Sequence, residues 1–143
     1  MLGVQITFGT GMIVLTTVIH VAGLIGLANM LPGVSDWVQR YSRMLVAGLL
    51  LVTSVLWIVA MHILESLIWA LLYVEIGEFD NLAAALYFSV VTATTLGYGD
   101  LLLSAEWRLL SSFEAMGGLI LFGASTAFLL ALMGRVFKKL EPK

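Results

Sequence analysis

The sequence predicts an all-α membrane protein with three transmembrane helices and a fourth, shorter helix that enters the membrane and returns. Three observations carry this. The 143 residues are 61% hydrophobic and 11% charged, with a mean hydropathy of +1.06, and a soluble domain of this size needs far more polar surface. Three apolar stretches are each long enough to cross a hydrocarbon core of about 30 Å, which takes roughly 20 helical residues. Between the second and third lies an apolar segment too short to cross, followed by the polar run Thr94-Thr95-Leu96-Gly97-Tyr98-Gly99-Asp100. Non-helical backbone at membrane depth survives only when buried in protein or lining water. This segment and its loop therefore dip in and leave on the same side.

The first span runs from about Val4 to Met30 without a charged residue. Met1 to Thr10 holds no basic residue either, so the positive region of a cleavable signal is missing and the span is read as retained. Leu31-Pro32-Gly33 breaks the helix and closes an N-terminal unit at 1–34. Ser35 caps a mixed segment over 35–43, with Asp36 in its first turn and Trp37 and Tyr41 among Arg40 and Arg43, a pattern suited to the headgroup boundary. The outer helix follows over 44–74, then a polar turn from Glu75 to Asp80. A short helix over 81–93, capped by Asp80 or Asn81, leads into the loop 94–100. The third span covers 108–137, and a short tail over 138–143 ends the second unit, 35–143.

Lysine and arginine placement orients the chain. Arg40 and Arg43 follow the first span, and Arg135, Lys138, Lys139 and Lys143 cluster around the end of the third. The segment between the second and third spans carries Glu75, Glu78, Asp80, Asp100 and Glu106 against Arg108 alone. Basic residues favour the cytoplasmic side. The loop and the N-terminus are thus expected outside, the C-terminus in the cytoplasm, and the protein in the cell membrane. The carboxylates would concentrate cations at the outer mouth or simply form a solvated rim. There is no cysteine, which excludes disulfides and thiolate metal sites. No arginine repeat suggests a voltage sensor, and no internal repeat suggests an inverted-repeat transporter.

Backbone carbonyls can replace the hydration shell of an ion when several point inward in register. Gly97 and Gly99 reach positive φ without steric penalty, so consecutive carbonyls can face one axis. On this segment, and on Ala85-Leu86-Tyr87-Phe88-Ser89-Val90-Val91-Thr92-Ala93 before it, the chain resembles the pore domain of potassium channels, from Ala85 to about Phe137. One loop supplies one carbonyl per level, whereas a ring of four gives eight oxygens around a site between levels. A four-fold symmetric homotetramer is the economical closure.

The resemblance implies roles. The filter would comprise Thr95, Leu96, Gly97, Tyr98 and Gly99, with K+ held at Thr95, Leu96, Gly97 and Tyr98. Thr94, Tyr87, Phe88 and Asp100 would support it, with the Tyr98 ring packed against the Tyr87 and Phe88 region. Leu96 stands where valine is commoner, a mild departure because only its carbonyl is needed. Val91 stands where some members carry a glutamate paired with the residue matching Asp100, so Asp100 needs another partner, such as a tyrosine, Trp107 or water. The implied function is a potassium-selective channel conducting passively, not an enzyme. No cofactor beyond permeant K+, no nucleic acid and no small-molecule substrate is expected; its partners are the lipid bilayer and copies of itself. A less selective cation channel is the alternative within transport.

Ionisable groups inside spans are costly and normally face protein. His20, His62, Glu65 and Glu114 are the four here. His62 and Glu65 share a helix face, and the depths of Glu65 and Glu114 match that of the short helix. A polar cluster of His62, Glu65 and Glu114 is expected behind the loop, as a brace or a proton sensor, with His20 as a separate interhelical group. A membrane metalloprotein built on these residues is the reading from another class. In the third span, Gly117 and Gly118 mark either a hinge or a close helix approach, and the spacing from Gly118 makes Phe122 and Thr126 candidates for a cavity lining.

Overall fold

The computed structural model describes residues 2–30 and 43–140. They form four helices: α1 (Leu2–Met30), α2 (Arg43–Glu75), α3 (Leu82–Ala93) and α4 (Leu109–Leu140). No strand occurs among the described residues. Three helices are long and apolar enough to cross a membrane: α1, α2 and α4 as far as Arg135. With 12 residues at 1.5 Å each, α3 reaches only about 18 Å. Of the segment expected at the headgroup boundary, 35–42 falls outside the described residues, and Arg43 already opens α2. The third span does not stop at 137: α4 continues to Leu140, because no glycine or proline interrupts Val136-Phe137-Lys138-Lys139-Leu140.

Local chemistry sets the ends of the elements around the loop. Beyond α2, Gly77 takes φ 79°. The Gly77 amide donates to Val74 (3.0 Å) and the Glu78 amide to Tyr73 (2.9 Å), the paired bonds that close a helix on a left-handed residue. Asn81, in extended backbone, caps α3 by accepting from the Ala84 amide at 2.8 Å. Trp69, Ala70 and Tyr73 of α2, Ala85 and Phe88 of α3, Leu103 of the loop before α4 and Leu110 of α4 then form one buried cluster. The Tyr73 and Phe88 rings meet edge to face at 5.3 Å, a favoured aromatic geometry.

Helix α1 packs against both long helices. Its Gln5 side chain accepts from the Leu109 amide at 3.2 Å, the Phe113 ring covers Gly9, and Ile13 lies against Gly117. Residue numbers therefore rise together, and α1 runs parallel to α4. Against α2 it runs antiparallel: Trp57 donates its indole N–H to the Gly23 carbonyl at 3.1 Å, and His20 meets Glu65. The N-terminus thus lies at the same end of the bundle as the turn before α4. The buried residues of α1 are Gln5, Gly9, Thr16, His20 and Leu27, one face of the helix. Apart from Leu27, that face is polar or small. Lipid offers no hydrophobic drive for helix association, so small residues and interhelical hydrogen bonds hold such faces together.

Candidate functional site

The loop after α3 is held by its amides and leaves its carbonyls free. The Thr95 amide donates to Thr92 (2.9 Å), while those of Leu96 and Gly97 both donate to Val91 (3.0 and 3.2 Å). The Thr94 hydroxyl turns back to the Val90 carbonyl at 2.7 Å. These bonds use the last carbonyls of α3, which a helix leaves without internal partners. Thr95, Gly97 and Gly99 have φ of 59°, 54° and 76°, whereas Leu96 and Tyr98 between them do not enter that region. Among the described residues, nothing donates to the carbonyls of Thr95, Leu96, Gly97 or Tyr98. The loop is exposed throughout in the single chain. Thr95 is the one non-glycine at positive φ among the described residues, a position that costs an L-residue about 1–2 kcal/mol.

Asp100 finds its partner in Tyr87, whose hydroxyl donates to the carboxylate at 2.7 Å. Tyr87 and Phe88 point to different sides of α3. Successive helix residues point about 100° apart, so Phe88 faces α2, buried against Tyr73 and Phe79. Tyr98 itself is 66% exposed in the single chain. Among the carboxylates between α2 and α4, Glu78 is engaged as well. It accepts from the Ser104 amide at 2.6 Å and the Ser104 hydroxyl at 2.7 Å, fastening the end of α2 to the turn that starts α4.

The expected cluster of His62, Glu65 and Glu114 is divided in two. Glu114, 1% exposed, accepts from the Tyr73 hydroxyl at 2.7 Å and is bonded to Ser89 of α3. Ser89 also meets the Ser66 carbonyl at 2.8 Å. Either the serine proton is shared between the two acceptors or Glu114 carries a proton and donates it to Ser89. Here Glu114 braces α3 from behind, joining it to α2 and α4. The second group contains His20 rather than Glu114. His20 Nδ1 lies 2.7 Å from one Glu65 oxygen and His62 Nδ1 lies 3.0 Å from the other. Ser125 of α4 sits 3.1 Å from Nε2 of each ring. Depth along the helices brought Glu114 and Glu65 together in the sequence reading, but the azimuth separates them: Glu114 faces α3, and Glu65 faces α1.

Residues 45–135 match the protein-family model described as Ion channel. The chain belongs to the ion channel family. The match takes in α2, α3, the loop and α4 to Arg135, and leaves α1 outside it. No curated protein and no solved structure gives a significant match.

In this ion channel Gly117, Gly118 and Phe122 of α4 line a cavity of about 220 Å³ shared with α2 and α3. A Cβ on Gly118 would overlap the Ala93 carbonyl oxygen and approach its Cα at 3.0 Å, and one on Gly117 would meet the Ile13 side chain at 3.2 Å. Both glycines are therefore places of close approach, and α4 is helical through them. Phe122 stacks on His62 with ring centroids 4.1 Å apart, so it packs within the chain. Thr126 remains exposed, its hydroxyl bonded to the Phe122 carbonyl at 2.9 Å. Tyr73, Ser89, Ser125 and Gln5 were absent from the sequence-based site. Tyr73→Phe should lower stability by about 1–3 kcal/mol, the cost of withdrawing a hydrogen bond from a buried acceptor. Thermal unfolding of the purified channel checks this, and no change would mean that Glu114 finds another donor.

Proposed function

We propose that four copies of this ion channel assemble around one axis to conduct K+ selectively and passively. The observation that carries this reading is the alternation of backbone handedness along Thr95-Leu96-Gly97-Tyr98-Gly99, with the amides of residues 95–97 tied down and the carbonyls of 95–98 unbonded. Alternation of this kind can turn successive carbonyls to one side, and rings of such oxygens replace the water around a potassium ion. The Thr95 hydroxyl, likewise without a partner among the described residues, adds an oxygen at the inner end. On this reading α3 is a re-entrant pore helix whose carboxyl end, the negative end of its dipole, favours a cation in the central cavity. Tyr87 and Asp100 hold the outer end of the filter, and Glu114, Ser89 and Tyr73 hold the pore helix. The exposed Tyr98 rings pack at subunit contacts. The distribution of basic residues supports a cytoplasmic C-terminus, with the N-terminus and filter mouth outside a cell membrane.

Planar bilayers containing the purified channel, with K+ on one side and Na+ on the other, test the proposal. The reversal potential should lie far from zero in the direction that favours K+. A reversal at zero would show equal permeabilities and replace this reading with that of an unselective cation channel.

A further inference from the structure

We propose that His20, His62 and Glu65 bind a divalent transition-metal ion, with Zn2+ the best fit, and that Ser125 serves as the shared outer partner of both histidines. The three ligand atoms all lie within 4.8 Å of one another, on two helices, with His20 fully buried and Glu65 4% exposed. Two imidazoles and one carboxylate are a ligand set that Zn2+ accepts with one position left open.

Hydrogen-bond accounting carries the argument beyond proximity. Four contacts close a ring: each Nδ1 to a Glu65 oxygen, and each Nε2 to the Ser125 hydroxyl. With Glu65 ionised and both imidazoles neutral, the ring holds three protons for these four contacts. One Nε2 then faces a hydroxyl oxygen with no hydrogen between them. Either a fourth proton on one imidazole or a metal ion between the two Nδ1 atoms and Glu65 removes that shortfall. The metal ion takes the place of the Nδ1 protons, so each ring carries its proton on Nε2. Both Nε2–H groups then donate to the Ser125 oxygen, which has two lone pairs to receive them. The serine proton turns to the carbonyl one helical turn earlier, as the hydroxyls of Ser54 and Thr126 already do. Ligating histidines normally donate their second N–H in this way, which fixes tautomer and ring orientation.

The distances are compatible. Zinc bonds of about 2.0–2.2 Å in tetrahedral array put neighbouring donors roughly 3.3 Å apart. The two nitrogen–oxygen spacings of 2.7 and 3.0 Å need to open by a few tenths of an ångström, while the widest separation among the ligand atoms, within 4.8 Å, closes onto the ion. A cavity of about 220 Å³ touches His62, Glu65, Thr16 and Ser66, with room for a water as fourth ligand. The bound ion would cross-link α1 to α2 directly and to α4 through Ser125.

The full-length channel, purified in detergent and stripped with a chelator, is titrated with Co2+ and then with competing Zn2+. The expected result is one Co2+ per chain with the visible bands of four- or five-coordinate cobalt, displaced by Zn2+. His20→Gln and His62→Gln should each abolish saturable binding, and Ser125→Ala, which keeps all three ligands, should weaken it about 10–100-fold. Where a histidine variant does not fold, Ser125→Ala decides alone. Absence of saturable Co2+ binding by the unaltered channel, or full-strength binding by Ser125→Ala, overturns the proposal and leaves a ring held by protons. Conduction plays no part in this readout, so it stands or falls separately from K+ selectivity.

Discussion

Gly97→Ala should abolish selective K+ conduction while leaving the transmembrane helices in place. Gly97 has φ 54°, and a Cβ placed there would meet nothing within 4 Å in the chain. The penalty is therefore one of backbone conformation, about 1–2 kcal/mol for an L-residue in the left-handed region. Four copies around the proposed axis raise it to about 4–8 kcal/mol per assembly. Relief comes by turning the peptide, which takes a carbonyl out of its ring. Thr95 already bears the same strain (φ 59°), so the loop has little conformational freedom left to absorb a second strained residue. K+ uptake into liposomes should fall to background, or the reversal potential should move to zero, with circular dichroism unchanged. Unaltered selective flux in Gly97→Ala would mean that this carbonyl does not line the conduction path.

Gly118→Ala should destabilise the channel, although alanine normally strengthens a helix relative to glycine by about 1 kcal/mol. The obstacle is the carbonyl of Ala93, backbone at the end of α3, which cannot swing aside as a flexible side chain would. Either α4 moves outward or α3 shifts, and overpacking of this kind costs about 1–3 kcal/mol. A shift of α3 also disturbs the loop, since Val91 and Thr92 carry its amides. A lowered melting temperature and a smaller K+ flux are expected together. Gly48→Ala, on α2 with nothing within 4 Å of its Cβ, is the control and should be neutral or stabilising. Equal melting of the two variants would refute the account of close approach.

Hydropathy alone disclosed the three long helices, because length and apolar content decide what crosses a membrane. The left-handed positions at Gly97 and Gly99 were legible for a similar reason: glycine is the residue that takes them cheaply. Thr95 was not, since nothing in its chemistry announces positive φ; the backbone bonds to Val91 and Thr92 impose it. The partner of Asp100 was foreseen only as a class, and the structure selects Tyr87. The error over Glu114 and His20 shows what one-dimensional depth lacks. Rise along a helix fixes level, but which neighbour a side chain faces depends on how three helices are arranged around one another. A clue to α1 did stand in the sequence: Gln5, Gly9, Thr16 and His20 recur on one face of the helix. Reading it needed the inverted logic of a membrane, in which polar and small residues mark the contact. Ser125 and Ser89 gave no such sign, as serine is common in spans and bonds its own backbone equally well.

The contact between Gln5 and the start of α4 has a consequence for biosynthesis. The two residues it joins are 104 positions apart, and at about 5–20 residues per second a ribosome takes roughly 5–20 s to travel from one to the other. Through that interval the glutamine lacks its final partner, whereas the threonine bonds its own helix and the histidine can meet Glu65 once the second helix is made. Something has to shelter that glutamine until the last helix emerges, whether the second helix, the insertion machinery or a chaperone at the lateral gate.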